Sequence, residues 1–307
     1  VDLWGDVPYS EFNIEGNYAP IADKSSEIYN SLFTLIDEAI GNLKNEEAAN
    51  LLKPAADDLI YNGDKDKWIR MGNTLKLKLL VQCRKAKGEI TGWNEKLAAL
   101  LTENNFMKSG EDFEFKHTQK DNPDERHPAY VDEYLGGQST YYISPWIYEI
   151  MSGINLNVKD NPFTGIVDPR IPYYWVNQIK ADGEAQNTTD YRSGAFVSIF
   201  FASNSSSSGN DQRSTSSFIG IYPCGGKYDN GQGGKCDKNV GTGVAPEKML
   251  QAYSVPFLLA ELYLTGETNG DAKVALENGI KYSIKHVNSV SQNAAAEGSN
   301  VPSISDD

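Results

Sequence analysis

Residues 61–88 place the tightest constraint on how this chain folds. Tyr61-Asn-Gly-Asp64 reads as a turn with an Asp at a helix start, and the run behind it carries Trp68, Met71, Leu75, Leu79, Cys83 and Ala86 at three- and four-residue spacing. That spacing predicts an amphipathic helix capped by Asp64, with Gly88 as its C′ residue after the cations Arg84, Lys85 and Lys87. One stretch competes with it. Leu75-Lys-Leu-Lys-Leu79 alternates with period two and alone would read as a half-buried strand. The flanking apolar residues favour the helix.

Helical spacing recurs towards both ends. From Glu27 to Leu43, the residues Ile28, Leu32, Leu35, Ile36, Ala39, Ile40 and Leu43 form one stripe behind a Ser25-Ser26 cap candidate. A shorter helix is predicted from Asn94 to Glu103. Near the other end, Ser254 is a cap candidate for a helix with Pro256 in its first turn, where a missing N–H costs nothing. Phe257, Leu258, Glu261 and Leu262 continue it to Gly266. Asn269-Gly-Asp271 then opens a helix with Ala272, Leu276, Ile280, Ile284 and Val287 on the predicted apolar stripe. Two antiparallel helices joined by a short Gly turn are the unit of a tetratricopeptide-like array, although no strict repeat of about 34 residues is visible.

Between Gly110 and Pro246 the pattern breaks up. Gly, Pro, Asn and Ser are frequent, and Ala195–Ala202 is the best strand candidate. Ser203–Asn210 is low in complexity and predicts a mobile surface loop. A structureless stretch of this length is unusual inside a compact domain. Apolar residues make up 39% of the chain and charged ones 23%, which excludes a disordered polymer. The net charge of −14 repels phosphate backbones, and no basic run is long enough to offset it, which argues against a nucleic-acid partner. No stretch approaches the roughly 18 consecutive apolar residues of a spanning helix, and no export signal is visible at either end.

Catalytic patterns are missing. His117, His127 and His286 are too far apart for local zinc spacing, and neither Cys-x-x-Cys nor His-Glu-x-x-His occurs. The run Gly225–Lys235 fails as a phosphate loop: Asp229 stands where its first Gly should be, and Cys236 replaces the magnesium-binding Ser or Thr. No Gly-x-Ser-x-Gly elbow is present. The 42 carboxylates supply many chance pairs but single out no glycosidase dyad. Asn187-Thr-Thr189 and Asn204-Ser-Ser206 match the glycosylation sequon and read as composition. The aromatics are more telling, with 17 Tyr and five Trp. Three clusters fall in the irregular middle: Tyr141-Tyr142 with Trp146, Tyr173-Tyr174-Trp175, and Tyr222 with Tyr228. Trp146, with Ile147 and Ile150, marks a short amphipathic helix and reads as core. Tyr222 and Tyr228 flank the Gly-rich loop, where large side chains are expected to be exposed.

Three phrases carry a resemblance. They are Val1-Asp-Leu-Trp-Gly-Asp-Val-Pro-Tyr-Ser-Glu11, the run Tyr61–Leu80, and Ala260-Glu-Leu-Tyr-Leu-Thr-Gly266 with the helix that follows to Ser283. In this order and spacing the chain resembles the SusD/RagB family, surface lipoproteins of Bacteroidetes that work beside a TonB-dependent transporter, in the branch called SusD-like group two. Phe113-Glu-Phe115, Asn122-Pro123 and Asp168-Pro-Arg-Ile-Pro-Tyr-Tyr174 resemble recurrent phrases of the family and are read as structural. The resemblance implies a helix, not a strand, at Leu75–Leu79. It also implies that the family's anchor Cys and further helices precede Val1, and that more helical sequence follows residue 307.

The expected fold is mostly α: tetratricopeptide-like helical hairpins packed against an irregular, loop-rich ligand-binding region. It is expected as one domain over 1–307, with a helical scaffold at 1–109, the ligand-binding region at 110–245, a hairpin at 246–290 and a flexible tail at 291–307. The implied function is capture of a nutrient, expected to be an oligosaccharide, and its delivery to a SusC-like TonB-dependent outer-membrane transporter. The implied location is the extracellular face of the outer membrane, through a lipid anchor. No cofactor, metal or catalysis is expected. A peptide-binding, RagB-like protein is the nearest alternative, followed by a glycoside hydrolase or a protein-interaction scaffold. Trp175, Tyr222 and Tyr228, with Tyr141 and Tyr142, are the candidate ligand contacts. The export that the resemblance implies permits disulfides, so Cys224 and Cys236 are expected to be bonded across the Gly-rich loop. Cys83, on the core face of its helix, is expected to be a thiol.

Overall fold

A computed structural model describes residues 1–47, 53–137, 141–187, 189–203 and 213–305. The Ser-rich stretch expected to form a loop lies outside the described residues from position 204 to 212. The described chain forms two compact units, Val1–Glu114 with Lys248–Tyr282 and Phe115–Glu247 with Ser283–Asp307. It passes from one to the other within strand β1 (Phe113–Phe115), within β6 (Glu247–Leu250) and again between Tyr282 and Ser283.

The first unit is helical. α1 (Ser25–Lys44), α2 (Lys65–Gln82), α3 (Trp93–Glu103) and α8 (Ser254–Leu264) appear where periodicity places them, and Leu75–Leu79 is helical. α2 is the hub and packs on α1, α3 and α8. Phe33, Leu77, Leu80, Leu97, Leu100 and Leu262 form its main core and are almost wholly buried. Asp64 caps α2 by accepting from the Lys67 N–H at 3.1 Å. Ser25 does not cap α1. Lys24 takes the cap position, and the Ser25 N–H and hydroxyl both donate to Asp6 in the Asp-Leu-Trp-Gly-Asp phrase. Gly88 is not a C′ residue either, because the chain tightens into a 3₁₀ turn over Arg84–Glu89. Two of the cations before Gly88 are in ion pairs, Arg84 with Glu261 at 2.6 Å and Lys87 with Glu267 at 2.6 Å.

The turn before α2 is built around one carboxylate. Asp58 accepts from the Ile60, Tyr61 and Gly63 N–H groups and from the Trp68 indole N–H at 2.8 Å. Gly63 has φ +80°, and a Cβ there would lie 1.9 Å from the Pro54 carbonyl oxygen, so only glycine fits. Trp68 packs edge-on against Tyr61 and Phe113. The Tyr-Asn-Gly-Asp phrase is thus a frame that seats α2.

Over its first half α9 (Ala272–Asn293) presents a different face from the predicted one, while Val287 faces inward as predicted. Leu276 and Ile280 are exposed, whereas Ala275, Gly279, Ser283, His286, Val287 and Val290 face inward. The reason is steric. A Cβ at Gly279 would come within 2.8 Å of the Phe257 ring on α8, so the hairpin closes on small residues. Counting apolar residues selects the wrong stripe when the seam is Ala-Gly-Ser.

The second unit holds short pieces: α4 (Pro128–Tyr130), α5 (Pro145–Ser152), α6 (Ile171–Tyr174), β2 (Trp175–Val176), β3 (Tyr191–Ser193), β4 (Phe196–Ser198), β5 (Phe218–Ile219) and α7 (Ile221–Cys224). β2 pairs with β5 and β3 with β4, both antiparallel. The Asp168-Pro-Arg170 turn is tied as expected: Arg170 chelates Asp168, whose Oδ1 also accepts the Arg170 N–H at 2.9 Å. The closing segment, expected to be loose, is packed. Asn288 and Gln292 bond the backbone at Ile304 and Val301, and the Tyr173 hydroxyl donates to the Pro302 carbonyl.

Hydrogen bonds from Trp68, Gly63, Ile60 and Tyr61 outweigh the cost of partial burial and hold the Asp58 carboxyl at about 2. A carboxyl lowered by folding contributes stability above its unfolded pKa of about 3.9 and loses it as pH falls through the folded value. Asp58→Asn should therefore unfold at lower denaturant than the parent at pH 7, and the gap should shrink between about pH 4 and pH 2. Equal denaturation midpoints at pH 7 would remove Asp58 from this role.

Candidate functional site

Of the five predicted contacts, the structure buries two. Trp175 lies on β2, 2% exposed, between Tyr148 and Phe196 in a core with Met151 and Tyr191. Tyr222 is 3% exposed on α7, with its hydroxyl 2.9 Å from His286 Nδ1. Neither presents a ring face to solvent, so the expected stacking role is corrected to packing. The start of the Gly-rich loop is closed, because a Cβ at Gly226 would lie 2.2 Å from the Tyr134 hydroxyl, whereas Gly231 farther along meets nothing within 4 Å. Tyr228 is half-buried and sits edge-on to Tyr173 at 4.9 Å.

The disulfide expectation is also corrected. Cys224 and Cys236 are thiols in one buried cluster with Tyr134, Val176 and Phe218. The Cys224 thiol donates to the Gly220 carbonyl at 3.4 Å, and burial pushes the Cys236 thiol up to about 12. The loop between them has other anchors. Lys227 donates to the Gly233 carbonyl at 2.7 Å, Asp229 accepts from Asn177 and Gly231, and Gln178 takes the Cys236 and Gly234 N–H groups. Cys83 is a buried thiol, as expected.

Exposed aromatics gather elsewhere in the second unit. Trp146 and Ile147 stand on the outer face of α5, and Trp146 is 45% exposed where the sequence reads it as core. Phe200 follows β4 and packs against Trp146 with ring centroids 5.4 Å apart. Phe201 beside it is 95% exposed. The Ser198 hydroxyl on β4 donates to the Ile143 carbonyl at 2.5 Å, which ties the Tyr141–Trp146 segment to that strand. Tyr141 is 49% exposed; its N–H donates to Glu133 at 2.8 Å and its hydroxyl to Asp132 at 3.1 Å. Tyr142 is half-buried. Tyr141, Trp146 and Phe201 thus expose aromatic surface, and the exposed Asp132 carboxylate lies beside Tyr141.

The inner face of α5 explains why the outer one is rigid. Glu149 is wholly buried and accepts from the Asn157 and Val158 N–H groups, the Asn157 side chain and the Tyr191 hydroxyl, all within 3.0 Å. Burial raises its pKa, but those donors prevail and hold the carboxyl below its ordinary value. It fixes the Ile154–Val167 loop against the helix that carries Trp146.

Two further features stand out. In the first unit, a cavity of about 420 Å³ is walled by Ala39, Leu43, Pro54 and Trp68, with Asn42 and Lys65 as polar lining. The Trp68 indole N–H is held by Asp58. In the second unit, the fold brings His117, His127 and Glu247 together, with one ligand atom from each inside a 4.8 Å span. Local spacing hides this group, because Glu247 lies far along the chain. Among the described residues, no helix is long and apolar enough to cross a membrane.

Residues 1–298 match the family model SusD-like_2, described as starch-binding and associating with the outer membrane. No curated protein matches the sequence. Among solved structures, the chain is similar to a SusD homolog from Bacteroides uniformis, with 21% identity and a TM-score of 0.63 over 93% of this chain and 50% of that one. It is similar also to a chitin-binding SusD homolog from Flavobacterium johnsoniae, with 19% identity and a TM-score of 0.62 over 92% and 48%. A SusD homolog from Parabacteroides distasonis gives 19% and 0.60 over 94% and 53%. The chain spans about half the length of these structures.

Trp175→Ala should cost about 3–5 kcal/mol, as an aromatic removed from a closed core does. Trp146→Ala should cost under about 1.5 kcal/mol, because its face is already in water. Urea unfolding of the two variants checks the assignment, and a reversed order would overturn it.

Proposed function

The chain belongs to the SusD-like family of starch-binding, outer-membrane-associated proteins, and we propose that it captures a glycan on the faces of Trp146, Phe200 and Tyr141. The observation that carries this reading is the Trp146–Phe200 pair: an exposed indole against a half-buried phenyl ring, seated on a helix and a strand end that are fixed from behind. Aromatic faces suit the apolar faces of sugar rings, and a few polar groups set orientation. Asp132 supplies one such acceptor beside Tyr141. Tyr142, half-buried, extends the candidate contacts, whereas Tyr228 packs on Tyr173.

Binding is non-covalent and involves no chemical step. Among solved relatives, one is described as a chitin-binding SusD homolog, which supports an oligosaccharide over a peptide as the class tried first. The protein acts at the outer face of the outer membrane, held by a lipid on an upstream Cys, and delivers its ligand to a SusC-like TonB-dependent transporter. The net charge of −14 fits a neutral glycan better than an anionic one.

Titration of the chain with starch- and chitin-derived oligosaccharides, followed by calorimetry, tests the site. Trp146→Ala or Tyr141→Ala should weaken binding severalfold to about tenfold, since a stacking contact contributes about 0.5–1.5 kcal/mol beyond burial. Unchanged affinity in both variants for a glycan that the parent binds would refute this placement.

A further inference from the structure

We propose that His117, His127 and Glu247 form a zinc-binding site in the second unit. His127 Nε2 lies 3.3 Å from a Glu247 carboxylate oxygen, and the ligand atoms of all three residues fall within 4.8 Å of one another. Tetrahedral zinc with bonds of about 2.0–2.1 Å to N and O separates its ligand atoms by about 3.3 Å. One edge of the site therefore already has the required length, and the others close by at most about 1.5 Å.

The state of His117 points to a cation. Its Nδ1 lies 3.0 Å from the Glu125 carbonyl, which can only accept, so the ring proton sits on Nδ1 and Nε2 carries a bare lone pair. That Nε2 is shielded from solvent and has no hydrogen-bond partner among the described residues. A backbone carbonyl on the remote nitrogen is the arrangement that orients a metal-ligating histidine. A buried acceptor without a donor is costly, and an ion would satisfy it.

His127 sets the cost of binding. It is buried, and its Nδ1 accepts the Ala129 N–H at 3.1 Å as the cap of α4. Its neutral form then holds a proton on Nε2, directed at Glu247. Zinc takes the place of that proton, which moves to Nδ1, and the short cap is given up. Glu247 is half exposed, so the fourth coordination position faces water. The group joins positions 117, 127 and 247, which lie far apart in sequence. An ion there would stabilise the second unit by binding the folded state alone.

The whole chain, freed of metal with a chelator, is titrated with Zn2+ in competition with a chromophoric chelator, and Co2+ is added separately to read coordination by absorption. One Zn2+ per chain is expected, with tetrahedral Co2+ bands and a melting temperature that rises with added Zn2+. His117→Ala and Glu247→Gln should each weaken binding by at least the roughly tenfold that loss of even an outer-shell partner costs. Circular dichroism of the metal-free variants checks that both still fold; if one does not, His117→Gln takes its place. Failure of the parent to bind, or affinity that either folded variant leaves unchanged, overturns the site.

Discussion

Carboxylates turned on the chain's own backbone hold together the parts of this protein that lack regular secondary structure. A loop that leaves the surface must satisfy its N–H groups, and without a ladder it needs side-chain acceptors. Asp58 gathers four donors around the turn before α2, and Glu149 gathers four at the root of the Ile154–Val167 loop. Asp6 and Asp23 do the same for the N-terminal phrase. Each carboxylate fixes several residues at once, so a long irregular stretch becomes a rigid support without strands.

Close approach by glycine is the second device. At Gly63, Gly226 and Gly279 a Cβ would enter a carbonyl, a tyrosine hydroxyl or a phenylalanine ring. Gly225 and Gly226, at the start of the Gly-rich run, therefore form a packing seam. That seam explains why Tyr222 is buried, and why Cys224 and Cys236 need no bond to hold the loop. The same economy of space closes the α8–α9 hairpin.

Periodicity and capping chemistry made the helices of the first unit legible, together with the Asp64 cap and the Asp168–Arg170 turn. These are local features, set by residues three or four positions apart. The inward face of α9 was not legible, because a small-residue seam carries no hydropathy signal. Among the aromatics, sequence placed Trp175 and Tyr222 outside and Trp146 inside, and the structure reverses all three. An aromatic next to Gly or Pro carries no local sign of which side it faces; that depends on partners such as His286, Phe196 and Phe200. The His117–His127–Glu247 group was invisible for the same reason, since Glu247 arrives from the far end of the irregular region.

A glycan site on this account is a surface of rings made rigid from behind: α5 shows Trp146 to solvent and seals Glu149 within. The most direct measurement is backbone hydrogen exchange of the chain with and without a bound oligosaccharide. Added protection confined to residues 132–147 and 196–201 is expected. Protection centred instead on residues 222–236, with those segments unchanged, would rule out a site on α5.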